Sequence, residues 1–175
     1  MVRALLDGSK TQTRRVVKPQ HLKFFDQSAA DMLGTWSNRP MPYGQPGDRL
    51  WVREAWRTYR GNDKTLPRDL TTAHKIWFEA DGKAPNLAAG KLRPGMFMPR
   101  WASRITLEIT GVRVERLQDI SESDALAEGV KNSLHLPGGR FAKENYEHLW
   151  WTIHGDGSWE ANPWVWVIEF KKADQ

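Results

Sequence analysis

At 175 residues, with 26 Lys and Arg against 21 Asp and Glu, the chain is net +5: long enough for one domain with a buried core, and biased toward an anionic partner. Zero cysteines exclude disulfides and thiolate metal sites, and fit a reducing, cytoplasmic setting. No apolar run approaches the roughly 18 residues of a membrane span, and no signal-peptide hydrophobic core opens the chain.

The first element is a short helix carrying Val2, Leu5 and Leu6, stopped at Gly8, a residue that takes positive φ without penalty. The segment that follows, Gly8-Ser9-Lys10-Thr11-Gln12-Thr13-Arg14-Arg15, crowds an amine, hydroxyls and two guanidiniums onto one turn and strand start. Two readings compete for it. It is a solvated basic turn, or it is an anion- or base-binding site with a hydroxyl nucleophile beside a lysine. A phosphate loop is excluded by spacing, because Ser9 separates Gly8 from Lys10 and no glycine lies five residues before Gly8.

Residues 11–17 read as a strand that stops at Pro19, followed by a long polar connection to Pro46. Gly47-Asp48 turns into Arg49-Leu50-Trp51-Val52-Arg53, whose strict alternation sets Arg49, Trp51 and Arg53 on one face. Arginines interleaved with aromatics are able to stack on and clamp bases; burial in the core is the competing explanation for Trp51 and for Trp56. Residues 57–98 read as an irregular insertion with one short strand candidate, Ile76-Trp77-Phe78. Beyond Trp101, alternation through Ile105, Leu107 and Ile109 resumes after Gly111 at Val112 and Val114, which predicts a long or bulged strand pair. Ser121 with Asp124 predicts a capped helix ending near Gly129, and Tyr146, Leu149, Trp150 and Ile153 predict a second helix over 142–153. Pro163 precedes a last strand, 164–171, with Trp164, Trp166, Ile168 and Phe170 on one face.

This pattern predicts a mainly β, α+β fold: a small β-barrel with short flanking helices and a long irregular insertion, all in a single domain over 1–175. The histidines at 21, 74, 135, 148 and 154 show no metal-ligand spacing, so no metal or other cofactor is expected; a carboxylate-held Mg²⁺ or Mn²⁺ stays compatible with a nuclease.

Four landmarks occur in order: the G-x-K-T-x-T-R segment at 8–14, Gly47-Asp48-Arg49-Leu50-Trp51-Val52, the stretch Arg104 to Gly129, and Trp166-Val167-Ile168-Glu169-Phe170. Together they resemble the ASCH-domain family, in particular the elaborated members often encoded by phages and prophages. The resemblance covers most of the chain outside 57–98 and 130–140, and implies a PUA-like β-barrel with a cleft for RNA or a modified nucleoside. Some bacterial members are amidohydrolases that deacetylate N4-acetylcytidine. Their motif, carried onto this sequence, implies Lys10, Thr13 and Glu128 as catalytic residues, with Thr13 as nucleophile, Lys10 as base and Glu128 as proton shuttle to the leaving amine. Arg14, Arg49, Trp51 and Arg53 are the expected nucleic-acid or substrate contacts. A non-catalytic RNA-binding module using the same cleft is the alternative. In a regular strand Lys10 and Thr13 would face opposite ways, so a shared site requires the strand to begin after Lys10 or to carry a bulge.

Overall fold

The computed structural model describes residues 1–18, 42–82, 88–132 and 141–173. Most of the polar connection to Pro46, the 133–140 part of the second loop, Pro85, His21 and His135 lie outside the described residues. The chain is a sheet-rich α+β structure with few helices, and it divides into two compact units. The first holds Met1 and residues 3–48 and 108–171; the second holds Val2 and residues 49–107 and 172–175.

In the first unit the expected elements form where local chemistry asks for them. Helix α1 (Val2–Leu6) ends ahead of Gly8, whose φ of 78° only glycine adopts easily. Strand β1 (Gln12–Val16) pairs antiparallel with the last strand, Trp164–Lys172, in a register that sets Thr13 opposite Ile168 and Arg14 opposite Val167. That last strand also neighbours the long Thr106–Arg116 strand on its other side. The Leu117 N–H donates to the Pro163 carbonyl, which sets the end of the long strand beside the start of the last one. Being central, the last strand buries both faces, and its Val165 and Val167 side chains are as hidden as Trp166 and Ile168.

Helix α2 (Glu122–Ala127) starts on a complete capping box between Ser121 and Asp124, and helix α3 (Ala142–His154) runs one residue beyond expectation before Gly155. The core of this unit gathers Leu117, Ile120, Ala125, Tyr146, Trp150, Trp159, Val165 and Val167.

Of the two forms expected for the stretch around Gly111, the long one is found: Thr106–Arg116 is one continuous eleven-residue strand. A Cβ at Gly111 would stand 2.8 Å from a Glu169 carboxylate oxygen, the far end of a flexible side chain that is able to give way.

In the second unit, β2 is only Arg49–Trp51, shorter than the five-residue alternation predicts, and Val52 donates its N–H to Ile105. The stretch read as irregular holds a small hairpin-like pair, β3 (Trp56–Arg57) with β4 (Trp77–Phe78), and several 3-10 turns. In chain order the strand Thr106–Arg116 is β5 and the strand Trp164–Lys172 is β6. Trp56 is fully buried and forms the core with Leu70, Met98 and Ala102, which decides its role as packing.

Candidate functional site

The polar segment after α1 is held by its backbone before any side chain is considered. The Lys10 N–H donates to the Ala4 carbonyl and the Thr11 N–H to the Ala127 carbonyl, which ties the segment to the end of α2. Lys10 and Glu128 form an isolated antiparallel bridge, and β1 begins only at Gln12. The strand thus starts after Lys10, the arrangement that frees Lys10 from the alternation governing Thr13. Gly129, at φ 87°, closes the joint: a Cβ there would lie 3.1 Å from both the Ala4 and the Lys10 Cβ atoms.

Within this joint Lys10 Nζ stands 2.6 Å from Glu128 Oε2 and 2.8 Å from the Glu128 backbone oxygen, with both residues buried. The second oxygen, Oε1, accepts from Arg14 Nη1 at 3.3 Å and from the Tyr146 hydroxyl at 3.4 Å. Arg14 is itself buried and lies 5.9 Å from the Tyr146 ring centroid. Its Nη2 reaches Glu115 Oε1 at 2.7 Å and approaches Asp124 Oδ2 at 3.6 Å. Arg113 extends the network to Glu115, Asp124 and Glu169. Charges this deep are tolerated because each faces an opposite charge and several hydrogen bonds.

Burial pushes the Lys10 ammonium below its ordinary value, against the Glu128 carboxylate, which raises it. Burial also drives the Tyr146 phenol well above the usual tyrosine value, and the Glu128 charge adds to the effect. Burial works to raise Asp124, but the hydrogen bonds from Ser121 and Gln12 and the nearby arginines outweigh it and hold that carboxyl below its normal value.

Beside this network lies a cavity of about 420 Å³, within the range that takes a small ligand. Thr13, Arg14, Arg15 and Glu128 line it together with Met1 and the α3 residues Tyr146, Leu149, Trp150, Ile153 and His154. The Thr13 hydroxyl has no hydrogen-bond partner among the described residues. Arg15 is exposed and pairs with no carboxylate among them; its Nη1 donates only to the Arg14 carbonyl. The His154 ring lies over Trp150 at 4.2 Å, and the buried Trp150 Nε1 has no acceptor among the described residues. The cavity therefore offers a hydroxyl, a cation and an aromatic wall.

Of the residues singled out from sequence, Lys10 and Glu128 are in direct contact, and Thr13 and Glu128 share one cavity. Lys10 is not part of the cavity lining and meets it through Glu128. The donors of Arg14 are directed at Glu115, Gln12 and Glu128. Arg49, Trp51 and Arg53 belong to the second unit, where Arg53 lies 4.6 Å and Arg100 5.6 Å from the Trp51 ring centroid.

Sequence reasoning missed Tyr146, Trp150 and His154 as site residues. Their helical spacing marks a core face, and nothing in that periodicity tells a core aromatic from one that also walls a cavity. Among the described residues no group of three or more His, Asp or Glu is placed to hold a metal ion, and no helix is long and apolar enough to cross a membrane. No family model, curated protein or solved structure matches this chain.

Proposed function

We propose that this protein is an ASCH-type, PUA-like nucleoside- or RNA-binding hydrolase whose first unit cleaves the amide of an N-acylated nucleobase such as N4-acetylcytidine. The observation that carries the reading is the buried Lys10–Glu128 pair, with Glu128 lining the same cavity as the unpartnered Thr13 hydroxyl. A planar base suits the Tyr146, Trp150 and His154 wall, and Arg15 supplies a cation for a phosphate or a developing oxyanion.

In this reading the Thr13 oxygen attacks the acyl carbonyl carbon, and its proton passes to the Lys10–Glu128 pair. The C–N bond then breaks, the same pair returns the proton to the departing nitrogen, and water hydrolyses the acyl-threonine ester to the free acid. Burial favours the role of Lys10 in the pair, because it lowers the cost of the neutral amine relative to the ammonium.

One observation favours the second reading, a non-catalytic RNA-binding module. Both Glu128 oxygens are already engaged, Oε2 by Lys10 and Oε1 by Arg14 and Tyr146, which suits a structural keystone as well as a proton shuttle. Incubation of the purified protein with a panel of N-acylated nucleosides and with single-stranded RNA, with and without divalent metal, separates the two. Release of the acyl acid by wild type and not by Thr13→Ala supports the hydrolase. Binding with no product of any kind replaces it by the module.

A further inference from the structure

The positive charge of this chain is not spread evenly. Residues 49–107 hold twelve Lys and Arg against five Asp and Glu, a net +7, whereas the whole chain carries +5, so the remaining residues are net −2. The five acids of residues 49–107 are already committed. Glu54 and Asp81 both grip Arg104, Glu79 pairs with Arg57, Asp69 lies against Arg68, and Asp63 accepts the Lys91 N–H. Arg49, Arg53 and Arg100 are exposed and form no ion pair among the described residues.

Two of these arginines converge on one aromatic ring. Arg53 and Arg100 lie 4.6 and 5.6 Å from the centroid of the half-buried Trp51, and Arg53 Nη1 donates to the Met96 carbonyl, beside Phe97, a ring left 54% exposed. An exposed ring beside unneutralised guanidiniums suits a polyanion with flat apolar faces, which uses both.

We propose that the second unit carries a binding surface for single-stranded nucleic acid, with Arg53 and Arg100 on backbone phosphates and Trp51 and Phe97 as stacking platforms. The surface is built from the second unit alone and goes beyond the cavity chemistry of the first. Stacking against aromatics tolerates any base, so the surface confers affinity for unpaired strands without sequence preference. Duplexes present phosphates but hide their base faces, and bind this surface less tightly.

The test uses fluorescence anisotropy with labelled oligouridylate and oligothymidylate of about 15 nucleotides, a length that spans such a site. Arg53→Gln with Arg100→Gln is expected to weaken binding about tenfold and to lower the slope of log affinity against log salt by about 1.4, two phosphates at roughly 0.7 each. Trp51→Leu is expected to weaken binding about fivefold or more with the salt slope unchanged. Lys18→Gln with Lys171→Gln removes the same charge from exposed positions of the first unit and should change affinity less than twofold. Comparing the two oligomers tells an RNA source from a DNA one, and binding of either single strand more tightly than the duplex supports the surface. Equal losses in both charge pairs, no loss in the first, or polyglutamate, anionic vesicles or duplex competing as well per charge as the single strand would overturn it. None of these readouts involves turnover, so failure here is distinct from failure of the hydrolase reading.

Discussion

Lys10 Nζ and Glu128 Oε2 meet at 2.6 Å across 118 residues of sequence, and this buried contact joins the segment after α1 to the end of α2. Glu128 is the only carboxylate shown against Lys10 among the described residues, while it also faces Arg14. Glu128→Gln therefore leaves a buried ammonium without its counter-charge. A loss of about 3–5 kcal/mol is expected in urea unfolding. Lys10→Met combined with Glu128→Gln should cost less than the sum of the single changes, and strict additivity would show that the contact contributes little.

The pair and its neighbour Tyr146 predict opposite responses to alkaline pH. Lys10 in the folded chain sits below its unfolded value near 10.5, so between the two values the unfolded chain binds more protons and stability rises with pH. Tyr146 sits above its unfolded value of 10.0, so its contribution is complete below that pH and is lost above it, where the unfolded phenol ionises and the folded one does not. Urea unfolding from neutral pH to about 11 should show the rise lost from the Lys10→Met profile and the fall lost from the Tyr146→Phe profile, so that wild type minus variant isolates each. Identical pH profiles for wild type and both variants would contradict the burial argument.

Thr13→Ala should abolish acyl release while leaving ligand affinity nearly intact, because one hydroxyl adds little to ground-state binding and much to a covalent step. Lys10→Ala should lose both, since it also removes the counter-ion that holds Glu128 in the cavity wall. Calorimetric titration beside a turnover assay distinguishes the two, and comparable loss of binding in both variants without wild-type turnover points to a recognition surface.

The joint itself is testable without a ligand. Ser121→Ala removes the oxygen that accepts the Asp124 N–H at the start of α2 and should cost about 1 kcal/mol. Gly129→Ala faces a φ of 87° and two Cβ atoms at 3.1 Å, one of them on Lys10, so it should lower the thermal midpoint and also disturb the Lys10–Glu128 contact. A Gly129→Ala protein that melts as wild type does would mean that the chain relaxes freely there.

Much of the fold was legible because its signals are local. Gly8 ending α1, the capping box at Ser121, the α3 periodicity and the alternation of β6 each depend on residues within a few positions of one another. At Gly111 the sequence left a long and a bulged strand open, and only the pairing along the whole of β5 decides for the long one. Within residues 57–98 the strand candidate at 76–78 was legible and forms as Trp77–Phe78, whereas its partner Trp56–Arg57 was not, since the pair and its core form only through each other.

The sequence by itself determined that the main helices and the long strands occur and in what order, and it put Lys10, Thr13 and Arg14 into one short polar segment, because caps, glycines and alternation are matters of neighbouring residues. Only the tertiary structure decided that Glu128 is the counter-ion of Lys10, that Arg14 turns toward Glu115 and Glu128, and that Tyr146 and His154 wall the cavity beside Thr13. Such pairings depend on which backbones are brought within a few ångströms after the chain is folded, and a buried charge selects its partner by that proximity rather than by spacing in sequence.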